Sequence, residues 1–153
     1  MSRAPNADRF EPLPAALAAR WSGFGQWDDT FFPKLVGLTL EDVRRDYARM
    51  RLPYRPELRQ PAGVVHGGAI ATLIDTVVVP AIGGVYEERR ALLTLSMNVH
   101  YLDGLREEDA IAEGWVEQRG RSVVFCRVEV RALAGRVVAT ASLVYKVSSR
   151  TVG

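Results

Sequence analysis

A single charged residue, Asp75, interrupts the apolar run from Ala69 to Ile82. Ile70, Leu73, Ile74, Val77, Val78 and Ala81 recur there at helical spacing, so the run predicts a helix. No other charge and no large polar group lies on any face of it, which predicts burial nearly all round. An ionised carboxylate in such surroundings costs on the order of several kcal/mol unless it is partnered. Asp75 is therefore the first candidate for acid–base or nucleophilic chemistry. His66, Gly67 and Gly68 stand immediately before the run. The first N–H groups of a helix lack intrahelical partners, and its dipole favours negative charge there. Two residues without side chains let a ligand approach that backbone closely. The expected result is a set of donors for an anion or a developing oxyanion. A turn carrying a structural histidine is the plainer alternative for His66-Gly67-Gly68 alone; Asp75 at fixed spacing favours the site.

The elements that must position these groups follow from hydrophobic period. Leu13 to Trp21 reads as a short helix after a proline-bearing lead-in over residues 1–13. The aromatic and glycine-rich stretch from Trp21 to Phe32 reads as a loop over the core, with a lid over a ligand mouth as the alternative. From Val43 to Pro53, Ala48, Met50 and Leu52 alternate with Arg49 and Arg51, the pattern of one half-buried strand. Pro80 inside the helical run is expected to kink or end the helix, and Gly83-Gly84 supply a stop. Alternation then marks strands over Leu93–Tyr101, Ala110–Gln118, Ser122–Arg131 and Val137–Val147. Short turns between them imply an antiparallel meander. The fold class is α+β: a sheet of about five strands curled round one long central helix, after a short N-terminal helical extension. The extension is placed at 1–34 and the domain at 35–150. Such a sheet leaves open edges, so two chains are expected to pair.

Composition narrows the function. At 153 residues, 48% hydrophobic and 25% charged, the chain is an ordinary globular domain. A net charge of +2, from 20 basic and 18 acidic residues, is too balanced to argue for nucleic acid. No apolar stretch reaches membrane-span length. Met1 to Phe10 lacks a secretory pattern, and the single cysteine, Cys126, suits a reducing compartment. The expected location is the cytoplasm, with no membrane or nucleic-acid partner. The two histidines are far apart, and no Cys/His cluster has zinc-ligand spacing.

The order of elements, with Gln60-Pro-Ala-Gly63-Val-Val-His66-Gly67-Gly68, Leu73-Ile74-Asp75 and Leu93-Thr94-Leu95-Ser96-Met97-Asn98-Val99-His100-Tyr101, resembles the hotdog-fold PaaI-like acyl-CoA thioesterases over about residues 35–148. The resemblance implies hydrolysis of an acyl-CoA thioester to free acid and coenzyme A, with no cofactor or metal beyond that substrate. It implies Asp75 as general base or nucleophile and the Gly67 N–H as oxyanion hole. Gln60 would position water or substrate, Thr94 would hold the water, and His66 would orient the loop or contact the carbonyl. Gly68 would line the substrate path. The turn Arg119-Gly120-Arg121-Ser122 resembles the family's contact to coenzyme A phosphates, the alternative being a solvated hairpin. The assembly implied is a homodimer, and a dimer of dimers (homotetramer) beyond it. Three departures stand out: Gln60 replaces the commoner Asn, Pro80 lies within the helix, and Tyr101-Leu102-Asp103-Gly104 lacks the Arg-Pro of relatives.

Helix geometry bears on that assembly. Gly67 and Asp75, eight residues apart, are separated by about 12 Å along one helix. A carbonyl held at Gly67 needs its attacking atom about 3 Å away. One chain therefore does not supply both groups to one substrate, and two helices packed antiparallel about a two-fold axis would. The expectation is two equivalent sites per dimer, each built across the interface. The rival readings are a non-catalytic acyl-CoA binding or sensing domain, which could dispense with Asp75 and Gln60, and a hotdog hydratase, whose Asp-x-x-x-x-His pattern is absent. Trp21–Phe32, Met50, Pro80 and Ile82 are the candidates for shaping the acyl pocket.

Overall fold

A computed structural model describes residues 5–152. The two-residue alternation of the C-terminal third builds four long strands: β3 (Arg90–Tyr101), β4 (Ala110–Arg119), β5 (Val123–Ala132) and β6 (Val137–Thr151). Upstream, β1 (Thr39–Arg44) and β2 (Tyr47–Leu52) form a hairpin. All six join one antiparallel sheet in the order β1-β2-β4-β5-β6-β3. The sheet thus has six strands rather than about five, because the stretch read as one strand from Val43 to Pro53 holds the end of β1, a turn and β2. Asp46 makes that turn at φ 60°. β1 escaped the pattern because its polar Glu41 and Asp42 break the alternation. Glu41 accepts hydrogen bonds from Arg49 (2.7 Å) and Arg51 (2.5 Å) across the hairpin. The meander is confined to β4-β5-β6; β3 crosses to the far edge and pairs with β6.

Three helices accompany the sheet: α1 (Ala15–Trp21), α2 (Phe32–Val36) and α3 (Gly67–Gly83). The run around Asp75 forms α3, whose Leu73, Ile74, Val77, Val78, Ala81 and Ile82 are fully buried against the sheet. Gly114 on β4 allows this close approach. A Cβ there would lie 2.9 Å from Val77 Cγ1 and 3.2 Å from Val78 Cγ1. Burial does not extend all round the helix, however. Thr72, Asp75, Thr76 and Val79 are only half-buried in the single chain, because the sheet covers one side of α3. Nor does Pro80 end the helix, which continues to Gly83. The proline forfeits one backbone bond, but Pro80, Ala81 and Ile82 are all buried in the core, and tertiary packing holds the last turn.

The lead-in is not loose where it is described. Ala7 is buried, Phe10 stacks on Tyr47 with ring centroids 5.1 Å apart, and Pro12 bridges to Arg44. Residues 1–4 of the expected lead-in lie outside the described residues. At the opposite end of the sheet, β3 is a twelve-residue edge with both faces largely open. Leu93, Leu95 and Met97 are 58%, 55% and 37% exposed. A long apolar edge of this kind invites pairing with another strand. Cys126 is buried on β5, and burial pushes its thiol up to about 12, so it remains protonated and inert. Among the described residues no helix is long and apolar enough to cross a membrane.

Gly114→Val should destabilise the fold by about 1–3 kcal/mol through overpacking against Val77 and Val78. Urea denaturation would show a lower midpoint at an unchanged slope.

Candidate active site

The sequence-predicted residues fall into three groups. The first lies at the start of α3. His66 is the N-cap, and its Nδ1 accepts the Gly68 N–H at 2.8 Å. That bond requires the imidazole proton on Nε2. A Cβ on Gly68 would sit 3.0 Å from His66 Nδ1, so a side chain at this position would crowd the capping imidazole. His66 thus shapes the helix entrance. Gly67, the first helical residue, has its carbonyl held by the Tyr101 hydroxyl (2.8 Å), while its N–H has no partner among the described residues. Gln60 sits in the loop that leads to His66. Its main chain bonds Val64 and Gly63 at 2.9 Å each, and its side-chain amide has no hydrogen-bond partner among the described residues.

The second group is centred on Asp75. Thr94 and Tyr145 are opposed across β3 and β6, which places their side chains on the same face of the sheet. Both reach the helix. Thr94 Oγ1 donates to Asp75 Oδ1 at 2.9 Å, and the Tyr145 hydroxyl lies 2.5 Å from Oδ1 and 2.7 Å from the Asp75 carbonyl oxygen. Oδ2 has no hydrogen-bond partner among the described residues. Burial, followed by the Asp75 hydrogen bond, pushes the Tyr145 phenol above its ordinary value, which keeps it a donor. Ser96 and Asn98, further along the same strand, make no bond to Asp75.

Sequence reasoning missed Tyr145. The available signal was a tyrosine among the inward residues Ala141, Leu143 and Val147 of a strand, since a buried phenol requires a polar partner. The one acid on the central helix was the obvious choice.

Asp75, Thr94 and Tyr145 line one wall of a cavity of about 460 Å³, within the size range of small-molecule sites. The cavity continues along α3 past Thr76 and Val79 to Gly83, and its outer wall is Trp21, Phe24 and Trp27. The aromatic segment read as a loop over the core therefore bounds a cavity. By contrast Met50, Pro80 and Ile82, named as pocket-shaping candidates, are buried in the core and do not line it.

The third group is the β4–β5 turn. Four of the five N–H groups of Arg119 are taken within the chain, by two bonds to Asp46 Oδ1, one to the Tyr86 hydroxyl and one to the Ile82 carbonyl. Its position at the end of β4 turns it inward onto the last turn of α3, so Arg119 ties the fold together instead of presenting a free fork to a phosphate. Arg121 and Ser122 are exposed on the turn itself. Gly120 allows its tightness, because a Cβ there would lie 2.8 Å from the Val123 carbonyl oxygen. Among the described residues no group of three or more His, Cys, Asp or Glu could hold a metal ion.

Comparison with known proteins identifies the family and the fold. A family model described as "Thioesterase superfamily" matches residues 62–139, from the loop before α3 into β6. Two curated relatives both carry the name "Putative esterase". That of Deinococcus radiodurans is 29% identical over 137 residues, covering 86% of this chain and 84% of the relative. That of Halobacterium salinarum is 33% identical over 108 residues, covering 67% and 71%. Among solved structures, the PaaI protein from the phenylacetic acid degradation operon of E. coli superposes with a TM-score of 0.79 at 14% identity, over 92% of this chain and all of that one. A thioesterase of Haemophilus influenzae gives 0.77 at 20% identity, over 83% and 89%. At such identities these two likenesses show the hotdog fold.

Tyr145→Phe should lower stability by about 1–2 kcal/mol, the order expected for a hydrogen bond to a charged group that water can partly replace. Equilibrium denaturation of the variant beside Thr94→Val, which leaves the phenol in place, would measure it.

Proposed function

Since the chain belongs to the thioesterase superfamily, we propose that it hydrolyses acyl-CoA thioesters to free acid and coenzyme A. One observation carries the reading: a carboxylate on the wall of a cavity is fixed through one oxygen, with the other unengaged. Thr94 and Tyr145 hold Asp75 Oδ1, so Oδ2 is the oxygen that acts. It takes a proton from the attacking water or adds directly to the thioester carbonyl carbon to give a mixed anhydride that water then cleaves. In either course negative charge develops on the carbonyl oxygen, and the thiolate of coenzyme A departs with a proton from solvent. Prepositioned donors aimed at such an oxygen are the main source of rate in acyl transfer.

The Gly67 N–H is the donor that suits this oxygen, being without a partner among the described residues and at the positive end of α3. It lies two helical turns from Asp75 of the same chain, about 12 Å by helix rise, so the oxyanion donor comes from a second copy. The exposed edge of β3, with the half-buried strip of α3 beside it, is the surface suited to that copy. Pairing along this edge also covers Leu93, Leu95 and Met97. At the entrance of each composite site, Gln60 and Gly68 flank the thioester, and His66 holds the loop that presents Gly67. For the coenzyme A phosphates, Arg121 with the backbone of Gly120 and the hydroxyl of Ser122 are the available contacts, with Arg119 bracing the turn from behind. The presence of both Asp75 and Gln60 favours catalysis over mere sensing of the thioester.

Asp75→Asn should lower kcat by about 10²–10⁴-fold, the range for loss of a general base, with little change in KM. Thiol release from a panel of acyl-CoAs would check it, and undiminished turnover would remove Asp75 from the mechanism. Met97→Asp places like charges face to face along the paired edges. Sedimentation velocity should then find monomer in place of dimer, with kcat/KM falling in step with the dimer fraction.

A further inference from the structure

The family match begins at residue 62, yet one wall of the cavity comes from residues well before it. Trp21, Phe24 and Trp27 line the cavity together with residues of α3 and β3. This wall is built rather than draped. The Arg20 guanidinium donates to the main-chain carbonyls of Tyr86 and Glu87, stapling the end of α1 to the loop between α3 and β3. Phe24 meets Trp27 edge to face at 5.0 Å, Trp27 meets Phe31 at 5.5 Å, and Lys34 Nζ donates to the Trp27 carbonyl. Trp21 packs directly on the last residue of α3: a Cβ on Gly83 would lie 2.9 Å from its Cζ2. The indole N–H is buried without an acceptor. That cost would be absent with Phe or Leu at this position, so van der Waals packing, not hydrogen bonding, fixes the ring.

We propose that this N-terminal wall is the acyl-binding surface and that Trp21, seated on Gly83, limits the acyl group to an apolar chain of medium length. The inference rests on the thioesterase reading above and names its substrate class. Two independent rulers set the length. Along α3 the cavity runs from Asp75 to Gly83, eight residues or about 12 Å. Along β3 it runs from Thr94 back to Arg90, four residues or about 13 Å. With carbon–carbon bonds near 1.5 Å at tetrahedral-type angles, each methylene advances about 1.25 Å, so roughly six to ten carbons fit between the reacting carbonyl and the indole. The lining between those ends includes Thr76, Val79, Leu92, Phe24 and Trp27, and Arg20, Arg89 and Arg90 line the cavity as well; the Arg20 guanidinium is engaged by the Tyr86 and Glu87 carbonyls, and Arg90 lies over the Tyr86 ring at 4.5 Å.

The experiment is kcat/KM for straight-chain acyl-CoAs from two to sixteen carbons, with the full-length wild type, Trp21→Ala and Gly83→Ala. The wild type should peak at six to ten carbons. Trp21→Ala removes the stop and should raise palmitoyl-CoA relative to octanoyl-CoA by at least tenfold. Gly83→Ala crowds the ring toward the cavity and should move the peak to shorter chains. Where Trp21→Ala does not fold, Trp21→Phe and Trp21→Leu give the same comparison with smaller shifts. Turnover that persists with an identical chain-length order in every folded variant overturns the assignment of Trp21 and leaves the hydrolase reading standing. Absence of thiol release from every thioester by the wild type overturns the hydrolase reading itself, and this inference with it.

Discussion

Asp75 and Gly67, the two groups at the centre of the proposed chemistry, are both mounted on α3, and α3 can sit where it does because β4 carries no side chain at Gly114. The helix presses Val77 and Val78 into that gap. Asp75 is one turn or less from both valines, so the depth at which the helix packs also sets how far the carboxylate stands from β3 and β6. A helix held further from the sheet would carry Asp75 away from Thr94 and Tyr145. Close packing of an apolar face thereby fixes a polar geometry on the neighbouring face, and a well-packed interior leaves little slack between the two.

The opposite side of α3 is left unfinished by a single chain. Its half-buried strip of Thr72, Asp75, Thr76 and Val79 lies beside the open edge of β3. These two features have a common cause. A six-stranded sheet can cover one side of a central helix, and the strand that ends the sheet has hydrogen-bonding groups with nowhere to go. In the proposed dimer a second copy would answer both needs at once, and it would also bring a helix N-terminus to a carboxylate that its own N-terminus cannot reach. Fold economy and site assembly then become the same event.

The N-terminal segment completes the arrangement from the far end. Among the described residues it contributes no strand to the sheet, but Arg20, Trp21 and the aromatic cluster of Phe24 and Trp27 turn the gap beside α3 into a bounded cavity. Arg119 performs the corresponding task on the inner side, joining the β1–β2 turn at Asp46 to the carbonyl of Ile82 near the end of α3. A basic residue in a turn suggested a phosphate contact. Its neighbours in space, which belong to two distant parts of the chain, direct it inward.

The amino-acid sequence by itself determined the element types and the identity of the central acid, because these depend on local period and on the cost of burying a charge. Helical spacing around Asp75 and alternation in the last third leave little freedom in either. The capping role of His66 was also within reach, since a cap involves residues two apart. Only the tertiary structure decided which strands are neighbours, because pairing joins residues far apart in the chain: β3 goes to β6, and that register alone places Tyr145 opposite Thr94. It also decided that β1 exists despite its acids, whose partners Arg49 and Arg51 lie on the next strand. Pro80 stays helical for the same reason, since burial among core residues outweighs a local preference. Trp21, at the end of α1, became part of a cavity wall through contact with Gly83, a meeting of residues about sixty positions apart that no local pattern records.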